Sequence, residues 1–92
     1  MTDMASLQAI VHGRVQGVFF RSFVEGVAEQ LRLTGYVRNC PGGVVEVKAE
    51  GEKPKLEKFV DYLKTGPPAA KVDNVEVDWA DYSGGFTGFK IR

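Results

Sequence analysis

Along VVEVKAE, residues 44–50, Val45, Val47 and Ala49 alternate with Glu46, Lys48 and Glu50. That period of two predicts a strand with one buried face and one wet face. Val75, Val77 and Trp79 alternate with Glu76 and Asp78 in the same way and predict another strand. Elsewhere the period lengthens. Phe20, Phe23, Val24, Val27, Ala28 and Leu31 fall on one face of a helix, with Glu25, Glu29 and Gln30 on the other. Ser22 and Glu25 have the spacing of a capping box, which would start this helix one turn later. A second helix has Pro54 near its first turn and Leu56, Phe59, Val60 and Leu63 on its apolar face, and Gly66-Pro67-Pro68 ends it. Three apolar runs complete the strands: LQAIVHG at 7–13, YVRNC at 36–40 before the turn Pro41-Gly42-Gly43, and FTGFKIR at 86–92 after Gly84-Gly85.

The order is β-α-β-β-α-β with an added C-terminal strand. It predicts a ferredoxin-like α/β sandwich (α+β), an antiparallel sheet covered by two helices on one face. Residues 1–6 read as a flexible lead-in and 7–92 as the folded domain. In this layout the first two strands run parallel with the third between them, so their C-terminal ends meet at one edge of the sheet. Loop 13–20 and the end of YVRN then become neighbours. Strands two places apart are separated by about 10 Å, within reach of an extended arginine and a bound phosphate.

Composition narrows the chemistry. With 92 residues and 43% hydrophobic content the chain can bury one core. Twelve basic and twelve acidic residues cancel, so no net field draws it to nucleic acid or a membrane surface, and any anion site must be local. Arg14, Arg21, Arg32 and Arg38 precede residue 40, whereas every lysine follows it. Arginine's planar donor fork suits carboxylate or phosphate oxygens. The single cysteine, Cys40, rules out an internal disulfide and favours a reducing compartment. The N-terminus has no signal-peptide pattern, and no run approaches the roughly 18 apolar residues of a membrane span. A cytoplasmic monomer is the expectation.

The stretch HGRVQGVFFRSF, residues 12–23, joins the first strand to the first helix. A glycine-bearing loop entering a helix presents unpaired N–H groups, and the helix dipole adds partial positive charge there. Gly13 and Gly17 permit positive φ and close approach to a ligand, and Arg21 on the first turn can reach the same oxygens. No Gly-Lys-Ser/Thr follows the second glycine, so the loop predicts a small phosphoryl group and no nucleotide. Two glycines at such a junction also serve a plain turn, and loop chemistry alone leaves both readings open.

GRVQGVFFR at 13–21, followed by GYVRN at 35–39, resembles the two signature blocks of the acylphosphatase family, and the length, element order and near-terminal FKIR agree. The resemblance implies hydrolysis of an acyl phosphate to a carboxylate and inorganic phosphate. It implies that Arg21 binds phosphate and that Asn39 orients the attacking water. The amides of Val15, Gln16, Gly17, Val18, Phe19 and Phe20 would hold the phosphate. An acyl phosphate has a good leaving group, so positioning and charge stabilisation suffice, and neither a strong base nor a cofactor is required.

His12 then reads as a strand residue, because this chemistry needs no base. Cys40 reads as a small packed thiol. No His, Cys and carboxylate set has metal-ligand spacing, so no metal is expected. Arg14 and Gln16 are left open between the mouth of the loop and solvent. Arg38 reads as a solvated charge opposite Asn39, and Phe19, Phe20, Phe23, Phe59, Trp79 and Phe89 as largely core. RNA-recognition modules share this layout, but they stack bases on exposed aromatics of the central strands, and here the wet positions are Glu46, Lys48 and Glu50. A phosphate-binding module without catalysis is the alternative to the enzyme. Against it, a sensor needs Arg21 but not a water-orienting Asn39.

Overall fold

Alternating and helical segments assemble as β1 (Met4–Arg14), α1 (Phe20–Gln30), β2 (Thr34–Asn39), β3 (Val45–Glu52), α2 (Lys53–Thr65), β4 (Lys71–Asp81) and β5 (Phe89–Ile91). The computed structural model describes residues 3–92. The strands form one sheet in the order β4-β1-β3-β2-β5. Neighbours are antiparallel except β2 and β5, which run parallel. This is the expected ferredoxin-like layout with an added strand. The radius of gyration, 12.1 Å, is that of one compact domain of this length, about 12 Å. Among the described residues no helix is long and apolar enough to cross a membrane.

Register places the core. Leu7, Ala9 and Val11 of β1 stand opposite Ala49, Val47 and Val45 of β3, and all six are fully buried. Onto this face α1 lays Phe20, Val24, Val27 and Ala28, and α2 lays Leu56, Phe59 and Leu63. Phe59 meets Phe89 of β5 edge-on, with ring centroids 6.2 Å apart. Both helices therefore share one side of the sheet, and closing that side is the main gain from burial.

Four expectations need correction. Residues 4–6, assigned to a flexible lead-in over 1–6, continue β1 and pair with Glu52, Gly51 and Glu50, while residues 1–2 lie outside the described residues. Residues 86–88 precede β5 and do not join it. Phe19 and Trp79 are exposed, because Phe19 stands on the loop and Trp79 on the edge strand β4. Lastly, the supposed wet face of β3 is covered, with Glu46 and Glu50 both buried.

Glu46 is enclosed by Gln8, Tyr36 and Arg38, whereas Glu50 lies under the segment between β4 and β5. Those strands lie at opposite edges of the sheet, about 19 Å apart at the usual strand spacing, and seven residues fully extended reach about 24 Å. Residues 82–88 are long enough to cross the face opposite the helices, and their contacts with Glu50 and Tyr36 place them there. Glu50 accepts hydrogen bonds from the backbone N–H and hydroxyl of Ser83 and the N–H of Gly84, at 2.8–3.0 Å. Burial pushes its carboxyl up, but these donors and Ser6 outweigh burial and hold it below the usual carboxylate range. Further along, Phe86 packs on Tyr36 with centroids 6.0 Å apart.

Candidate active site

β1 and β2 end at the same edge of the sheet, one strand apart, as their parallel course requires. After Arg14 the chain turns through residues 15–19 and enters α1 at Phe20. Phe19 occupies the N-cap in the left-handed region, φ 63° and ψ 23°, without a side-chain cap, and no acidic residue lies in the first turn. The capping box at Ser22 and Glu25 is not used. The start of α1 thus keeps its partial positive charge for an outside anion.

A cavity of about 230 Å³ opens here, lined by Val15, Gly17, Phe19, Phe20, Arg21 and Asn39, with Ser22 beside them. Pockets for drug-sized ligands begin near 300 Å³, so this one suits a phosphoryl group better than a nucleotide. Sequence reasoning named every member but Ser22, which carried no signal beyond its capping spacing, although it named Phe19 for its amide and expected the ring in the core. Val18 of the 15–20 loop turns into the core instead.

Gln16 bridges the two halves of the site. Its Nε2 donates to the carbonyl oxygens of Cys40 at 2.9 Å and Val44 at 2.8 Å. Those carbonyls bracket the turn after β2, itself closed by the Cys40 N–H on the Val44 oxygen at 2.9 Å. The loop is thereby tied to the hairpin that carries Asn39. This settles the open reading of Gln16, whereas Arg14 points to solvent.

Arg21 is half-buried, and its Nη1 donates to the main-chain oxygen of Arg92 at 3.4 Å. Arg92 follows β5, donates its N–H to the Val37 oxygen at 2.8 Å, and sets its guanidinium 4.3 Å from the centre of the Tyr36 ring. This contact leaves most of Arg21's donor fork for a ligand.

The two glycines divide their work. A Cβ at Gly13, φ 127°, would collide with the Lys71 carbonyl oxygen where β1 slips register against β4, so this glycine serves strand pairing and not the ligand. Around Gly17, φ 74°, nothing stands within 4 Å of such a carbon, and its backbone is open to the cavity.

Outside the cavity, His12 on β1 sets Nε2 3.3 Å from Oε2 of Glu76 on β4. Arg38, expected as a solvated charge, pairs with Glu46 through its Nε. Arg38 above all, then Gln8 and Tyr36, holds the Glu46 carboxyl below its usual range. Among the described residues no group of three or more His, Cys, Asp or Glu side chains gathers to hold a metal.

The acylphosphatase family model matches residues 7–91. The chain belongs to the acylphosphatase family. It is 48% identical over 87 residues to an acylphosphatase of Pelotomaculum thermopropionicum, covering 95% of each chain. It is 49% identical over 88 residues to one from Thermus thermophilus, covering 96% of this chain and 99% of that one. The crystal structure of acylphosphatase from Bacillus subtilis superposes with a TM-score of 0.92 at 40% identity, covering 96% of this chain and 98% of that chain. The two stretches that carry the acylphosphatase resemblance, 13–21 and 35–39, lie on elements that border the cavity.

Proposed function

We propose that the protein hydrolyses acyl phosphates to a carboxylate and inorganic phosphate, and that the cavity beside α1 is where it does so. The observation that carries the reading is the uncapped start of α1, with Arg21 on its first turn, lining one small cavity together with Asn39. The phosphoryl oxygens rest on the amides of residues 15–20 and on the Arg21 guanidinium. Asn39 accepts a hydrogen bond from water through its side-chain oxygen and aims the water's lone pair at phosphorus. A water oxygen–phosphorus bond forms as the bond from phosphorus to the acyl oxygen breaks. The carboxylate leaves with the bonding pair, and a phosphoryl oxygen takes the water's proton. Charge growing on the equatorial oxygens meets donors already in place, which is the largest service the site can give.

Asn39 favours this enzyme over a phosphate-binding module, because its side-chain oxygen can accept from an attacking water, which holding an anion does not require. The catalyst is a cytoplasmic monomer working on a small-molecule substrate, without cofactor, metal, nucleic acid or membrane. Benzoyl phosphate hydrolysed in ¹⁸O-water with excess chelator tests the reading. Turnover is expected, with the label in inorganic phosphate. Label in benzoate would place the attack at carbon, and no turnover by the folded protein would leave the binding module.

A further inference from the structure

Among the apolar residues that line the cavity, Val15, Phe19 and Phe20, only Phe19 is exposed. Its residue is 80% exposed. Its backbone sits at φ 63°, ψ 23°, a conformation that glycine or asparagine adopts at least cost and a bulky side chain rarely does. Among the described residues its ring joins none of the aromatic pairs, although Phe20 and Phe23 nearby do. The ring therefore adds nothing visible to the core, yet it lines the cavity with Gly17, Arg21, Ser22 and Asn39.

We infer that Phe19 selects the acyl group, giving the site a preference for flat aromatic or extended apolar acyl phosphates over small ones. The inference rests on the hydrolysis proposed above. With the phosphoryl end drawn to the amides and Arg21, the acyl end has to leave through the mouth. The other apolar lining groups, Val15 and Phe20, are buried in the core, so an apolar acyl group leaving the cavity finds one exposed apolar partner, Phe19. A benzoyl ring can lie against the Phe19 ring and remove apolar surface of both from water. An acetyl group is too short to cover it. The site would then read both ends of its substrate, charge at one and apolar area at the other.

The test compares kcat/KM for benzoyl phosphate and acetyl phosphate in the wild type, Phe19→Ala, Phe19→Gly and Phe19→Tyr. Taking the ratio of the two substrates divides out any disturbance of the residue 19 amide. The benzoyl-to-acetyl ratio is expected to fall about tenfold in Phe19→Ala and Phe19→Gly, mainly through KM for benzoyl phosphate, and to recover in Phe19→Tyr. Glycine suits the left-handed backbone, so at least one ring-less variant will fold. Turnover of both substrates with the ratio unchanged overturns this inference alone. Turnover of neither by the wild type overturns the hydrolysis reading as well.

Discussion

In the proposed hydrolysis Arg21 and Asn39 bear on different parts of one event. The arginine would meet an anion present in substrate, transition state and product alike, so its loss is expected to weaken all three and the transition state most. The amide carries no charge and would act on water, so its loss is expected to leave phosphate binding nearly intact and to slow the step. That Arg21 and Asn39 border one cavity was legible, because parallel strands β1 and β2 end side by side at one edge of the sheet. The parts played by Gly13 and Phe19 were not. Gly13 looks like a loop glycine until its partner on β4 is known, since the close backbone approach involves Lys71, far away in the chain. Phe19 reads as core because an aromatic between Val18 and Phe20 fits the apolar run. Only the left-handed backbone at the helix start turns it outward.

At the scale of elements, the site is a junction of loop 15–19, the first turn of α1 and the hairpin after β2. Gln16 is its tie. Gln16→Ala removes two hydrogen bonds with a net worth of about 1–2 kcal/mol, which in a domain of this size lowers Tm by roughly 4–12 °C. The same change loosens Asn39 against loop 15–19, so on the proposed mechanism kcat is expected to fall as well. Gln16→Glu should destabilise further, because a carboxylate faces two carbonyl oxygens with no proton to offer. Thermal melts beside steady-state rates check both effects, and equal stability of the three proteins would dissolve the tie. The helices were readable from periodicity, since each has one apolar face and one wet face. The wet face of β3 was misread for a physical reason. Alternation shows which residues face away from the helices but not that residues 82–88 return across them.

For the whole molecule, that crossing strap is a pH-sensitive fastening. The Glu50 carboxyl that fastens it is held below its usual range by Ser83, Gly84 and Ser6, and Glu46, bound to Arg38, Gln8 and Tyr36 of the sheet, is held low as well. A depressed folded-state pKa contributes stability that is fully present above the unfolded value, about 4.3, and is lost as pH falls through the folded value. Tm of the wild type should therefore hold from neutral pH to about 5 and drop below it. Glu50→Gln loses an acceptor for the Ser83 and Gly84 N–H groups and should cost about 1–3 kcal/mol at pH 7. The gap between variant and wild type should narrow below about pH 4. A constant gap down to pH 3 in a series of melts would detach Glu50 from the acid response. Since the strap ends in β5 and Arg92, which touches Arg21, its fastening also bears on the site.

The measurement that tests the central claim most directly is kcat for benzoyl phosphate together with Ki for inorganic phosphate, in the wild type, Arg21→Ala and Asn39→Ala. The expected result is a loss in kcat of about 10²–10³ in each variant, with Ki raised strongly for Arg21→Ala and little for Asn39→Ala. Folded variants that keep the wild-type kcat and Ki would contradict it and move the chemistry away from the cavity at the start of α1.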